Sequence, residues 1–253
     1  MRLTRVEISK DRLLAIPEAE RTFFLALAHL FNEINALTKM LYWAASAPDT
    51  TEAEDHGRLA TMLLLTQLVA GKLSEAWELF TKSFFGASLS KQYEPKLSGE
   101  PAEALKRLKK YFGSRNALKT IRNTFAFHYS PKDVDSVLPD TDSPLYLYMD
   151  RTSTPNNLFY FAEILMVEAL LAILSGHGIK NLEGLVDEIF SVSVWFSQAS
   201  DGLMDQFLES QPDGSLGAEL EEVRLDNLPK LREIYIPWFS DTSDAVEALE
   251  GSA

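Results

Sequence analysis

The chain has 253 residues, of which 46% are hydrophobic and 24% charged, with a formal net charge of −13. This length suits one large domain or two small ones, and this balance excludes a wholly disordered chain. No cysteine is present, which excludes disulfides, thiolate zinc sites and a cysteine nucleophile, and suits a reducing cytoplasm.

The opening, "MRLTRVEISKDRLLAIPEAE", carries charges throughout and has no apolar core, so no secretory signal is expected. Phe23, Leu27, Leu30, Ile34, Leu37 and Leu41 then recur at spacings of four and three, which predicts an amphipathic helix from about Glu20 to Ala45. Met62, Leu65, Val69, Leu73, Ala76, Phe80 and Phe84 repeat the pattern in a second helix. Thr51 and Glu54 have capping-box spacing at its start, and Gly86 is placed to end it. Two such helices with a short connection pack as an antiparallel pair.

A basic helix is predicted from about Ala102 to Phe112, broken by Gly113, with Ser114 as the cap of a further helix from Arg115 to about Tyr129. Pro131 prevents that helix from continuing far. The residues around 140–156 have turn chemistry, with "LYLYM" as a short strand, so a small hairpin or extended insert is expected there. Leu158–Leu174 is apolar nearly all round and reads as a central helix, stopped by "SGHG". It is shorter than the roughly 20 apolar residues of a spanning helix, and it contains Glu163 and Glu168; burial in protein, with a partner for at least one carboxylate, is expected instead of a membrane.

Leu185, Ile189, Val192, Phe196, Ala199, Leu203 and Phe207 predict a long last helix. A tail follows, with a helical stretch near Glu219–Val223 and the aromatic strip "YIPWF" at Tyr235–Phe239. The economical reading is an all-α antiparallel bundle over residues 1–217, with an acidic extension over 218–253 packed on it or peripheral to it.

Several chemistries are excluded. "GKLS" at Gly71 lacks the glycine and hydroxyl spacing of a phosphate loop, and no glycine-rich dinucleotide fingerprint occurs. None of the four histidines has a glutamate three positions before it, so no bundle metal site is expected, and no cofactor is implied. His29 shares a face with Glu33 and reads as a partly buried, hydrogen-bonded side chain.

Charge is the first functional clue. Residues 183–253 hold sixteen acids against three bases, so residues 1–182 balance at zero. Within that neutral part, residues 104–132 contain eight cations and no acid. Such a stripe attracts a polyanion locally, because salt screens distant charge over roughly 8–10 Å. Lys110, Arg115 and Lys119 are its candidate RNA-binding members, and the stripe runs into "IRNTFAFHYS" at Ile121–Ser130.

On a regular helix Leu118, Ile121 and Phe125 would face inward, with Arg122 and His128 on opposite flanks about 120° apart and Tyr129 near Arg122. These residue types suit metal-free RNA cleavage. Histidine exchanges protons near neutrality, a guanidinium forks onto phosphate oxygens, and asparagine or tyrosine orients or protonates. His128 lies in the last turn, where the helix dipole favours imidazolium.

Arg122 followed by the polar Asn123, with His128 a few positions on in a helical context, resembles the signature of the HEPN superfamily. The resemblance implies a small helical domain, frequently dimeric, acting as a ribonuclease in toxin–antitoxin, abortive-infection or RNA-processing systems; some members only bind. It implies that Arg122 binds the scissile phosphate, His128 is the acid/base, Asn123 assists, and Tyr129 contributes, although a family subgroup places its tyrosine one position later. A homodimer with the two motifs facing across a cleft is implied, as is a protein partner such as an antitoxin. The alternative is a non-catalytic helical module that binds protein or RNA, with the acidic tail and "YIPWF" as its docking surface. A further alternative is a ligand-binding bundle using a pocket around Glu163.

Overall fold

Three apolar seams, each on a 28-residue helix, form the centre of the molecule: α2 (Glu18–Ala45), α3 (Glu52–Leu79) and α9 (Leu182–Glu209). The computed structural model describes residues 1–46, 51–126, 131–151, 154–210 and 217–241. Strand β1 (Arg2–Ile8) and the short helix α1 (Lys10–Ala15) precede α2. Between α3 and α9 lie α4 (Leu89–Tyr93), α5 (Gly99–Phe112), α6 (Ala117–Ile121), α7 (Pro131–Val137) and α8 (Tyr160–Leu174). Strand β2 (Gly217–Arg224) follows α9. The fold is an all-α bundle with one small two-stranded sheet.

The seams bury the residues that their spacing selects. Phe23, Leu27, Ile34 and Leu41 of α2, Val69, Leu73 and Ala76 of α3, and Leu185, Ile189, Val192, Ala199 and Leu203 of α9 are almost wholly inaccessible. Aromatic rings fill one end: Phe24 stacks on Phe207 at 4.0 Å, and Phe23 stacks on Phe84 at 5.2 Å. Thr51 and Glu54 form the expected capping box. A π-helical turn, Phe80–Phe85, carries α3 to its end at Gly86.

Two phenols inside the bundle are paired with carboxylates. The Tyr93 hydroxyl donates to buried Glu20 and meets Ser210 Oγ at 3.2 Å. The Tyr111 hydroxyl donates to Glu188, joining α5 to α9; burial and the adjacent carboxylate hold both phenols protonated, far above their ordinary range.

Four local expectations are corrected. The tail near Glu219–Val223 is strand β2, not helix: it pairs antiparallel with β1, Arg5 opposite Glu221 and Arg2 opposite Arg224. Cross-strand attraction between Arg5 and Glu221, and between Arg2 and Glu222 at 3.5 Å, replaces local helix formation. "LYLYM" contributes to an extended insert in which only Tyr148 forms a bridge, exchanging backbone hydrogen bonds with Leu158 at 2.8 and 2.9 Å. Ser114 does not cap α6; its hydroxyl turns back to the Tyr111 carbonyl at 3.1 Å, and the Asn116 side chain accepts from the Lys119 N–H at 2.9 Å instead. His29 is 74% exposed, and its neighbour Glu33 is engaged by Lys72 at 2.7 Å.

Helix α8 packs against α3, α6 and α7. Among the described residues, the stretch Tyr160–His177 is the one helix long and apolar enough to cross a membrane, and 33% of it is buried inside the chain. Glu168 accepts from the hydroxyls of Thr141 and Ser143 at 2.8 and 2.9 Å, so its partner is the insert. Glu163 has no such partner among the described residues, and burial pushes its carboxyl above the ordinary range. In the tail, Trp238 and Phe239 pack with Ala60, Leu158 and Tyr160. Trp238 crosses α3 at Gly57, where an added Cβ would lie 2.4 Å from the Trp238 Cβ.

Two outcomes follow from these contacts. Gly57→Ala displaces Trp238 and destabilises the chain by about 1–3 kcal/mol, read as a lower denaturation midpoint together with a changed tryptophan emission. A carboxyl raised by burial favours folding most when protonated, and that advantage is lost as pH rises through its raised value. Glu163→Gln therefore raises Tm above wild type at pH 7 and leaves it unchanged at pH 4, which thermal scans at the two pH values check.

Candidate functional site

The segment that carries Arg122 is built by a short helix that changes pitch. Asn116 caps α6, and Ala117, Leu118 and Ile121 are buried beneath it. After Ile121 the backbone widens into a π-helical turn over Arg122–Ala126, a form that recurs at functional sites. Phe125 remains buried and Arg122 lies on the flank with its side chain 32% exposed, as the seam predicts. The 3.6-residue pitch ends at Ile121, so the angle of about 120° inferred for a regular helix does not apply beyond it. His128 and Tyr129 lie outside the described residues.

The Arg122 guanidinium faces α3. Its Nε and Nη2 donate to one oxygen of Glu75 at 2.9 and 2.6 Å, and Nη2 lies 3.4 Å from Glu78. Nη1 donates to Asn123 Oδ1 at 3.2 Å. The two predicted neighbours are therefore in contact, and the guanidinium plane is fixed from three sides. Among the described residues, one Nη1 N–H remains for a further acceptor. The Glu75 hydrogen bond raises the Arg122 pKa still further, with the Glu75 charge and then Glu78 adding to it. Glu78 is held below the ordinary carboxylate range, first by the Lys82 hydrogen bond at 2.8 Å and also by the charges of Arg122 and Lys119.

Glu75 and Glu78 are missing from the sequence reading. They stand one turn apart on α3, but nothing local links them to an arginine 47 positions away. The signal available in the sequence was an acid pair on a helix whose other face is an apolar seam.

The stripe from 104 to 132 divides on folding. Lys109 turns to Glu94 and lies over the Phe85 ring at 4.8 Å, and Lys106 lies 3.6 Å from Glu103. Lys110, Arg115 and Lys119 are exposed and make no ion pair among the described residues. Lys119 and Arg122 both act on Glu78, so the free cations of the α5–α6 corner lead to the arginine.

Elsewhere, a cleft of about 560 Å³ lies between α2, α3 and α9, walled by Tyr42, Met62 and Phe190; Glu163 does not line it. Among the described residues, no group of three or more histidine, cysteine, aspartate or glutamate side chains is placed to hold a metal ion.

The Arg122 ion pairs join groups that are 32%, 44% and 40% exposed, so they contribute at most roughly 1 kcal/mol. Arg122→Ala should fold, with Tm lowered by only a few degrees, and Glu75→Gln should lower it less; circular-dichroism melts check both. The site can therefore be removed without removing the protein.

Compared with known proteins, the chain matches no family model, no curated protein and no solved structure, and the functional reading rests on its own residues.

Proposed function

We propose that this chain is a metal-independent endoribonuclease of the HEPN type, acting in the cytoplasm as a homodimer in a toxin–antitoxin or phage-defence setting. The observation that carries the reading is the run of exposed cations at Lys110, Arg115 and Lys119, without an ion pair among the described residues, beside a guanidinium held in one plane by Glu75, Glu78 and Asn123. A fixed donor aimed at developing charge needs no reorganisation at the moment of reaction. The basic corner supplies the attraction that a phosphodiester backbone requires.

In this mechanism the open Nη1 N–H of Arg122 binds a non-bridging phosphate oxygen. His128 takes the proton of the ribose 2′-hydroxyl as that oxygen closes on phosphorus. The bond to the 5′-oxygen breaks, and Tyr129 protonates the departing alkoxide and then recovers a proton from His128. The products are a 2′,3′-cyclic phosphate and a 5′-hydroxyl. A second copy has an apolar surface to meet, since Leu145, Leu147, Met149 and Phe159 are all exposed on the insert and at the start of α8.

A second reading has its own observation. Glu75 and Glu78 occupy most of the guanidinium, which suits an inter-helix clamp in a non-catalytic binding module. RNA incubated with the protein and excess chelator separates the two. The nuclease reading expects cyclic-phosphate ends and a loss of about 100-fold or more in both Arg122→Ala and His128→Ala. If wild-type protein cleaves no RNA, catalysis is excluded and the clamp remains.

A further inference from the structure

We propose that the exposed face of α5 is a track for single-stranded RNA that ends on Trp195, a substrate class that rests on the RNA-directed reading above. Lys106, Arg107 and Lys110 are exposed on one face of α5, because positions three and four apart share a helical side. Lys109, three positions from Lys106 at the border of that face, is instead turned to Glu94 and Phe85. The track is thus selected by folding and is not the whole basic stripe. It continues past Gly113 to Arg115 and Lys119, and so toward Arg122.

At its other border stands an aromatic platform. The Arg107 guanidinium lies 5.9 Å from the centre of the Trp195 ring, and Tyr111 meets that ring edge-on at 6.4 Å. Trp195 is only partly buried, and its neighbour Val194 is 52% exposed. The platform is anchored from below, since the Tyr111 hydroxyl is tied to Glu188. The acids beside it are Glu188, Glu103 on Lys106 at 3.6 Å, and Glu100 on Gln198 at 3.4 Å. The last two lie at the α5 N-terminal end and close the track there, so a polyanion is directed toward α6.

A guanidinium laid over an indole gives one unstacked base a planar cationic surface to stack on, while flanking lysines and arginines follow the backbone. A duplex keeps its bases stacked inside and presents only phosphate and sugar edges. The arrangement therefore favours a single strand over a double one.

The test measures binding of full-length protein in a His128→Ala background, so that bound RNA is not consumed, to one labelled sequence as a single strand and as a duplex. The single strand is expected to bind at least about tenfold tighter. Trp195→Ala is expected to lower that affinity by about tenfold or more, with Trp195→Phe restoring most of it. Lys110→Ala and Arg115→Ala, both at the surface, should each reduce the slope of log affinity against log salt by about 0.7. Equal binding of both forms, or unchanged affinity in folded Trp195→Ala, overturns the track while the nuclease reading stands on its own cleavage assay. Absence of binding to either form overturns both.

Discussion

The burial of three long apolar seams against one another is the constraint on which everything else in this molecule rests. Each of α2, α3 and α9 presents a continuous stripe too wide to leave in water, and the aromatic cluster of Phe23, Phe24, Phe80, Phe84 and Phe207 locks their relative positions. At roughly 25 cal/mol per Å² of apolar surface removed from water, this is the dominant favourable contribution. Once these helices are placed, the outer faces of α3 and α9 become fixed surfaces. Helix α6 with its π turn lands on α3, and α5 lands on α9.

That division gives the two outer surfaces different character. The α3 surface supplies acids, which hold Arg122, and one of them, Glu78, is kept ionised by Lys82, Arg122 and Lys119. The α9 surface supplies Glu188 and Trp195 to α5. Cations that find a carboxylate, such as Lys109 and Lys82, become part of the fold. Lys110, Arg115 and Lys119, which find none among the described residues, stay exposed. An acidic chain can thus carry a basic surface where part of its C-terminal acid is engaged elsewhere in the fold. Glu221 and Glu222, for example, meet Arg5 and Arg2 of β1.

The aromatic strip near the C-terminus shows how the same residues change meaning in three dimensions. As a sequence, "YIPWF" is an unattached apolar segment suited to a partner. In the fold, Trp238 sits against Gly57, and Phe239 stands edge-on to Tyr148 at 6.1 Å. Gly57 is otherwise unremarkable within a long helix; its missing side chain is needed because an indole crosses there.

By itself the sequence determined the long helices α2, α3 and α9, their seams, the Thr51–Glu54 cap and the stop at Gly86, because periodicity and capping act between residues a turn or so apart. It also determined that Arg122 borders Leu118, Ile121 and Phe125, for the same reason. Only the tertiary structure decided that Glu75 and Glu78 would hold Arg122, that β1 would draw residues 217–224 out of a helix, and that Arg107 would meet Trp195. Each of these joins residues remote along the chain, and a carboxylate or an indole on one helix carries no local mark of the cation that folding will bring to it.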